Sequence, residues 1–198
     1  MQKKENINEI YVVGEVIASS LSYFESGSYF IKGLIRVPRK SGTNDILRFS
    51  ISEKLLQDTD ISFDKPVLLC GLLRNVLISG EKHRSLMIFV RTILNVSSDR
   101  IGENYAKFTG NLSADAKYRT TPFGKKITEL YVKENKKTYS ISMIAWSRLA
   151  VLTKDLKRGD YVSLYGRLQS REYIKVLPDW TEEKNITYEV SVFGVHLY

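Results

Sequence analysis

The sequence predicts an all-β chain of two tandem five-stranded barrels, each with a short helix between its third and fourth strands. Three observations predict it. Short runs of alternating apolar and polar residues are separated by turn residues, as half-buried strands require. In each half a helical stretch follows one of these runs. The letters of the first half also recur in the second. Val13-Gly-Glu-Val-Ile-Ala18 answers Thr109-Gly-Asn-Leu-Ser-Ala114, and Phe49-Ser-Ile-Ser52 answers Tyr139-Ser-Ile-Ser142. Val67-Leu-Leu-Cys-Gly-Leu-Leu73 answers Val162-Ser-Leu-Tyr-Gly-Arg-Leu168. Gly14 and Gly110 stand 96 positions apart and Gly71 and Gly166 stand 95 apart, so the spacing holds across the repeat. Strand, short helix, then a strand interrupted by glycine is the middle of an OB-fold. The expected units are residues 1–100 and 101–198.

In the first half, residues 8–18 form a strand with Gly14 where a bulge or sharp coil is expected. Ser26-Gly-Ser28 turns the chain into a second strand, residues 29–37, with Ile31, Ile35 and Val37 on one face and Lys32 and Arg36 on the other. Residues 38–45 are a basic hairpin loop. Residues 46–52 are a third strand, 53–57 a helical turn and 65–75 a fourth strand. A fifth strand, 86–96, follows the loop that ends at His83. The junction from Ser97 to Asn104 is too short for a floppy tether, so the two barrels are expected to pack together.

In the second half, residues 139–146 alternate. Ile141, Met143 and Ala145 share one face, and Ser140, Ser142, Ile144 and Trp146 share the other. Tyr139 has the parity of Ile141 and reads as core. Ser147 is a good N-cap for the spacing Leu149, Leu152, Leu156, predicting a helix of about three turns that Gly159 stops. The next strand turns Val162, Leu164 and Leu168 inward, with Tyr161, Tyr165, Arg167, Arg171 and Tyr173 on or near the opposite face, and Gly166 breaks it.

Composition bounds the chemistry. With 43% apolar residues in 198, the chain can bury a substantial core. Thirty Lys and Arg against 22 Asp and Glu give a net charge of +8, which suits a polyanionic partner and also occurs in proteins that bind none. The one cysteine, Cys70, allows no intrachain disulfide and reads as a buried, inert thiol. His83 and His196 lack the spacing of a metal site, so no metal or cofactor is expected. No apolar run reaches the roughly 18 residues of a membrane span. Glu9 and Glu15 interrupt the segment after Lys3 and Lys4 that would otherwise read as a signal peptide, so a cytoplasmic protein is expected. No Ser-His-Asp set and no phosphate-cradling glycine loop points to an enzyme.

The second half resembles a known family. Trp146-Ser-Arg-Leu-Ala150, followed by Leu156-Lys-Arg-Gly-Asp-Tyr-Val-Ser-Leu-Tyr-Gly-Arg-Leu-Gln-Ser-Arg-Glu-Tyr173, resembles the bacterial single-stranded DNA-binding protein (SSB) family. Phe108-Thr-Gly-Asn-Leu-Ser-Ala-Asp115 and Arg119-Thr-Thr-Pro-Phe-Gly124 match that family's opening motifs in the same order. The likeness covers about residues 104–198 and implies single-stranded DNA binding in replication, recombination or repair. It places Trp146 and Tyr173 on base-stacking positions. Ser140 stands where many members carry a stacking Trp, which implies a poorer platform.

A single strand offers flexible phosphates and unpaired bases, which aromatic rings and cations on a barrel wall can hold without reading sequence. Trp146, Tyr173 and Tyr131 are the stacking candidates, with core or interface packing as the alternative for each. Arg119, Lys125, Lys126, Lys133 and Arg171 are the phosphate candidates, persuasive as a set. Trp180 could clamp a strand, but Asp179, Glu182 and Glu183 beside it argue against that role. In the first half, Lys32, Arg36, Arg39, Lys40 and Arg48 make a lesser basic edge, or a solvated hairpin. That half reads as scaffold, because Leu68, Cys70 and Leu72 give its fourth strand an apolar outer face that must be covered. Family members generally gather four OB-folds, so the resemblance implies a homodimer of this two-barrel chain. The chain ends inside its last strand, without the acidic tip by which such proteins recruit enzymes. A primosome-type subunit acting mainly through protein partners, or an RNA-binding OB protein, therefore stands as the alternative.

Overall fold

The computed structural model describes residues 6–20, 23–25, 27–77, 84–133, 140–176 and 180–198. The core reading of Tyr139 and the loop ending at His83 lie outside the described residues. The first half runs β1 (Ile7–Ser19), β2 (Tyr23–Glu25), β3 (Ser28–Pro38), β4 (Asn44–Ser52), α1 (Glu53–Gln57), β5 (Val67–Leu77) and β6 (Arg84–Asn95). The second repeats that order as β7 (Asn104–Leu112), β8 (Lys117–Thr120), β9 (Lys126–Lys133), β10 (Ser140–Trp146), α2 (Ser147–Thr153), β11 (Tyr161–Val176) and β12 (Glu182–Leu197). The short β2 and β8, each paired to the strand after it, were not expected.

The pairings of each half form a circuit. One runs β1, β3, β4, β6, β5 and back to β1; the other runs β7, β9, β10, β12, β11 and back to β7. The β4–β6 contact is parallel, and so is its counterpart β10–β12. Both circuits hang on one seam, where β1 and β7 pair antiparallel from Ile7↔Thr109 to Val12↔Asn104 in a twelve-stranded sheet. Inward rows such as Ile35, Val37, Leu47, Phe49 and Leu69 are buried, as are Ile141, Met143, Ala145, Leu164 and Leu168. Period-two alternation in the sequence becomes a buried side and an outer side of each circuit.

The repeat extends to its irregularities. The β5–β6 register shifts between Cys70 and Gly71, and the β11–β12 register shifts between Tyr165 and Gly166. A Cβ at Gly71 would strike the Phe89 carbonyl and one at Gly166 the Ser191 carbonyl, so glycine lets the partner strand bulge inward. β11 therefore runs through Gly166 without breaking. The bulge expected at Gly14 lies instead between Val16 and Ala18, while Gly14 marks the close crossing of β1 over Arg36 of β3.

The second helix departs from its prediction. Ser147 is its first residue, at φ +52°, and Trp146 holds the cap position without a side-chain bond. The helix ends at Thr153 rather than continuing to Gly159, and Leu152 is exposed. With only two short turns, Leu149 packs inward and Leu156 reaches the core from the following loop. In α1, by contrast, the Ser52 side chain caps Leu55 N–H at 3.2 Å.

The halves also meet at a polar joint. Asp45, wholly buried, accepts Arg39 Nε at 2.9 Å and the backbone N–H of Ser170 at 2.9 Å. Ser170 Oγ in turn accepts Ile46 N–H at 2.9 Å, and Arg39 donates to the Ser170 carbonyl at 2.8 Å. The junction is docked as well, with Val13 N–H on the Glu103 carbonyl and Gly102 N–H on the Val13 carbonyl.

Candidate nucleic-acid interface

The outer row of the second half is set by register. Tyr131 lies opposite Ser142, Ile127 opposite Trp146, and Arg119 opposite Ile127. On the adjoining β11–β12 ribbon, Arg171 pairs with Thr187 and Tyr173 with Asn185. Trp146, at the end of β10, is half-buried, and the Arg171 guanidinium lies 5.4 Å from its ring centre. Tyr131 is also half-buried, with Lys117 Nζ 5.6 Å from its ring centre. Its phenol titrates above the ordinary range, through burial first and the Glu129 charge second. Flat rings with cations beside them are what bases and phosphates require.

Two carboxylates interleave with this set, and the sequence reading missed both. Arg119 Nε donates to Glu129 at 2.9 Å, and Arg171 Nη2 donates to Glu189 at 2.6 Å. Glu189 is 8% exposed, and burial raises its pKa while Arg171 opposes the rise. Both acids stand in an alternating row with the parity of surface residues, which was the signal available. In the free protein they occupy arginines that a phosphate would have to take over.

The other candidates lie around this centre. Lys125 and Lys126 are exposed at the β8–β9 turn, held by Thr121 N–H on the Lys125 carbonyl at 2.8 Å. Phe123, in the same turn, is 91% exposed and was not singled out from sequence, although its place between Pro122 and Gly124 marked it as a loop tip. Lys133 lies at the far end of β9 opposite Ser140. Tyr173 is 45% exposed on the ribbon, two positions along β11 from Arg171, and lines a cleft that also touches the first half. Trp180, shortly before β12, is exposed at φ +64°.

The basic edge of the first half does not form one surface. Arg36 pairs with Glu15, Arg39 is turned inward onto Asp45, and Arg48 reaches toward the second half, 5.0 Å from the Tyr188 ring centre. Lys40 is exposed, and Lys32 lies 4.2 Å from the Tyr23 ring centre. A ring and a cation also meet at Phe89 and Arg74, 4.2 Å apart, so this half carries aromatic–cation pairs of its own.

The other side of the joined sheet carries a run of aromatic rings, with Glu9 and Lys107 paired beside them. Tyr11 and Tyr105 stack across the β1–β7 seam at 5.4 Å, and Tyr105 continues to Tyr165 and to the exposed Phe193. Cys70 is in register with Tyr11, and like Leu68 and Leu72 it is half-buried. Burial pushes the Cys70 thiol pKa up. Among the described residues no cluster of His, Cys, Asp or Glu could hold a metal, and no helix is long and apolar enough to cross a membrane.

No family model matches the chain, and no curated protein matches it by sequence. Its fold does match solved structures. The crystal structure of wild-type single-stranded DNA-binding protein from Thermus aquaticus superposes with a TM-score of 0.76 at 18% identity, covering 98% of this chain and 93% of that one. A deletion mutant of the Thermus aquaticus protein gives a TM-score of 0.75 at 18% identity, covering 98% and 95%. The chain therefore has an SSB-like fold over nearly its whole length.

Proposed function

We propose that this chain is a sequence-nonspecific single-stranded DNA-binding protein acting in replication, recombination or repair, and not an enzyme. Each pairing circuit is an OB barrel, one within residues 1–100 and one within 101–198. The observation that carries the reading is the clustering of Trp146, Tyr131, Arg119 and Arg171 on one outer surface of a chain with an SSB-like fold. Bases stack on Trp146, Tyr131 and Tyr173, while Lys125, Lys126, Lys133 and the two arginines hold phosphates. Lys32, Lys40 and Arg48 give lesser contacts. The apolar surface around Tyr105, Leu68, Cys70 and Leu72 is the contact between two copies, so that a homodimer offers four barrels.

The test is intrinsic tryptophan fluorescence titrated with dT and rU oligomers of increasing length. Quenching by dT is expected, with affinity falling with salt at a log–log slope near −0.7 per phosphate contact. A preference for rU would move the reading to an RNA-binding protein. Absence of binding to either would overturn it.

A further inference from the structure

A cleft of about 540 Å³ opens between the two halves. Its walls come from β4, β5 and β6 on one side and from β10 and the β11–β12 ribbon on the other. Three cations line it: Arg48 and Arg84 from the first half, Lys184 from the second. Among the described residues that line it there is no carboxylate. The remaining polar groups are neutral, chiefly Asn75 and Asn185, with Tyr173 at the wall. Arg84 is oriented by donating to the Asn75 carbonyl at 2.9 Å, and Arg48 by the Ser85 hydroxyl at 3.3 Å.

Charge of one sign in a recess concentrates an anion, since low-dielectric walls focus the field. The outer surface of the second half differs in this respect, because there Glu129 and Glu189 already engage the arginines. The cleft is also continuous with that surface. Ser142, in its wall, is in register with Tyr131, and Tyr173, also in its wall, lies two positions along the same face of β11 from Arg171, which reaches the Trp146 ring. Cations contributed by both halves suit a ligand long enough to run from one to the other.

We infer that this cleft is a phosphodiester-binding site, in which Arg84, Lys184 and Arg48 grip the backbone of a single strand as it passes from the second barrel to the first. The inference rests on the single-strand reading above and adds residues and a path to it. An oligomer too short to leave the Trp146 surface does not reach the cleft.

The experiment compares wild type with the Arg84→Ala/Lys184→Ala double variant, using fluorescence anisotropy of short and long dT oligomers across a salt series. For the long oligomer the variant should bind about tenfold more weakly, with the salt slope shallower by about 0.7 for each phosphate left without its cation. Short-oligomer affinity should be unchanged. A charge-keeping Arg84→Lys/Lys184→Arg variant should restore the slope, which separates phosphate binding from a change in folding. Equal affinity and slope for long oligomers in wild type and the alanine variant would overturn the inference while leaving the proposed function standing. A wild type that binds no oligomer would overturn both.

Discussion

Asn8 and Asn104, 96 positions apart, make the same pair of hydrogen bonds in the two halves. Asn8 donates to the Leu73 carbonyl and accepts the Leu73 N–H, both at 2.9 Å. Asn104 donates to the Leu168 carbonyl at 2.7 Å and accepts the Leu168 N–H at 2.9 Å. In each case the backbone ladder ends two positions earlier, at Ile10↔Gly71 and Ala106↔Gly166, and the side-chain amide extends it where the strands part. A carboxamide suits this task because it presents one donor and one acceptor with peptide-like geometry.

Asn104→Ala should therefore destabilise the protein by about 1–3 kcal/mol, since it leaves a partly buried N–H and C=O of Leu168 without their partner. Asn8→Ala should cost a similar amount through Leu73. Urea unfolding midpoints check both, and a Leu at either position should be no better tolerated than Ala.

Trp146→Ala should weaken dT binding by about 1–3 kcal/mol, the range for loss of one stacking ring. Because Trp146 is half-buried at the end of its strand, its melting curve should move little. A large fall in melting temperature with unchanged affinity would assign the ring to packing instead.

Glu189 gives a pH signature. Burial lifts its carboxyl above the ordinary 4.5, so the folded chain keeps this proton to a higher pH than the unfolded chain does. Between those two values the folded state binds more protons, and this group's contribution to stability falls as pH rises through that window and stays low above it. Arg171, Arg39 and Arg119 oppose the lift and Glu129 reinforces it. Glu189→Gln should remove this slope, read as the difference between the urea midpoints of wild type and variant across pH. The same change releases Arg171, so the variant should bind dT more tightly than wild type at neutral pH. Unchanged affinity would show that Arg171 is not a phosphate contact.

The aromatic run across the seam, with Leu72 and Phe193, predicts an oligomer. Light scattering at micromolar concentration should give the mass of two chains, and Phe193→Lys with Leu72→Lys should give the mass of one. A wild-type monomer would remove the dimer.

Much of this architecture was legible in the sequence because it is local. Alternation assigned Ile141, Met143 and Ala145 to the interior and Trp146 to the outer end of its row, since strand parity depends only on neighbouring residues. The helical turn expected at 53–57 is α1, and the recurrence of Gly14 and Gly71 at Gly110 and Gly166 matches the repeated order of strands and helix in the two halves. Parity says which side of a sheet a residue faces; it does not say what comes to face it. Asp45 reads as a loop acid, yet Ser170, 125 positions on, meets it in a buried joint. Arg39, read as part of an open edge, is held there by the same carboxylate. Glu129 and Glu189 drew no reading from the sequence, and only the arrangement of β8, β9, β11 and β12 sets them against Arg119 and Arg171. The cleft holding Arg48, Arg84 and Lys184 is lined from both halves, which the β1–β7 seam and the Asp45–Ser170 joint hold together, so it forms only through packing between distant segments.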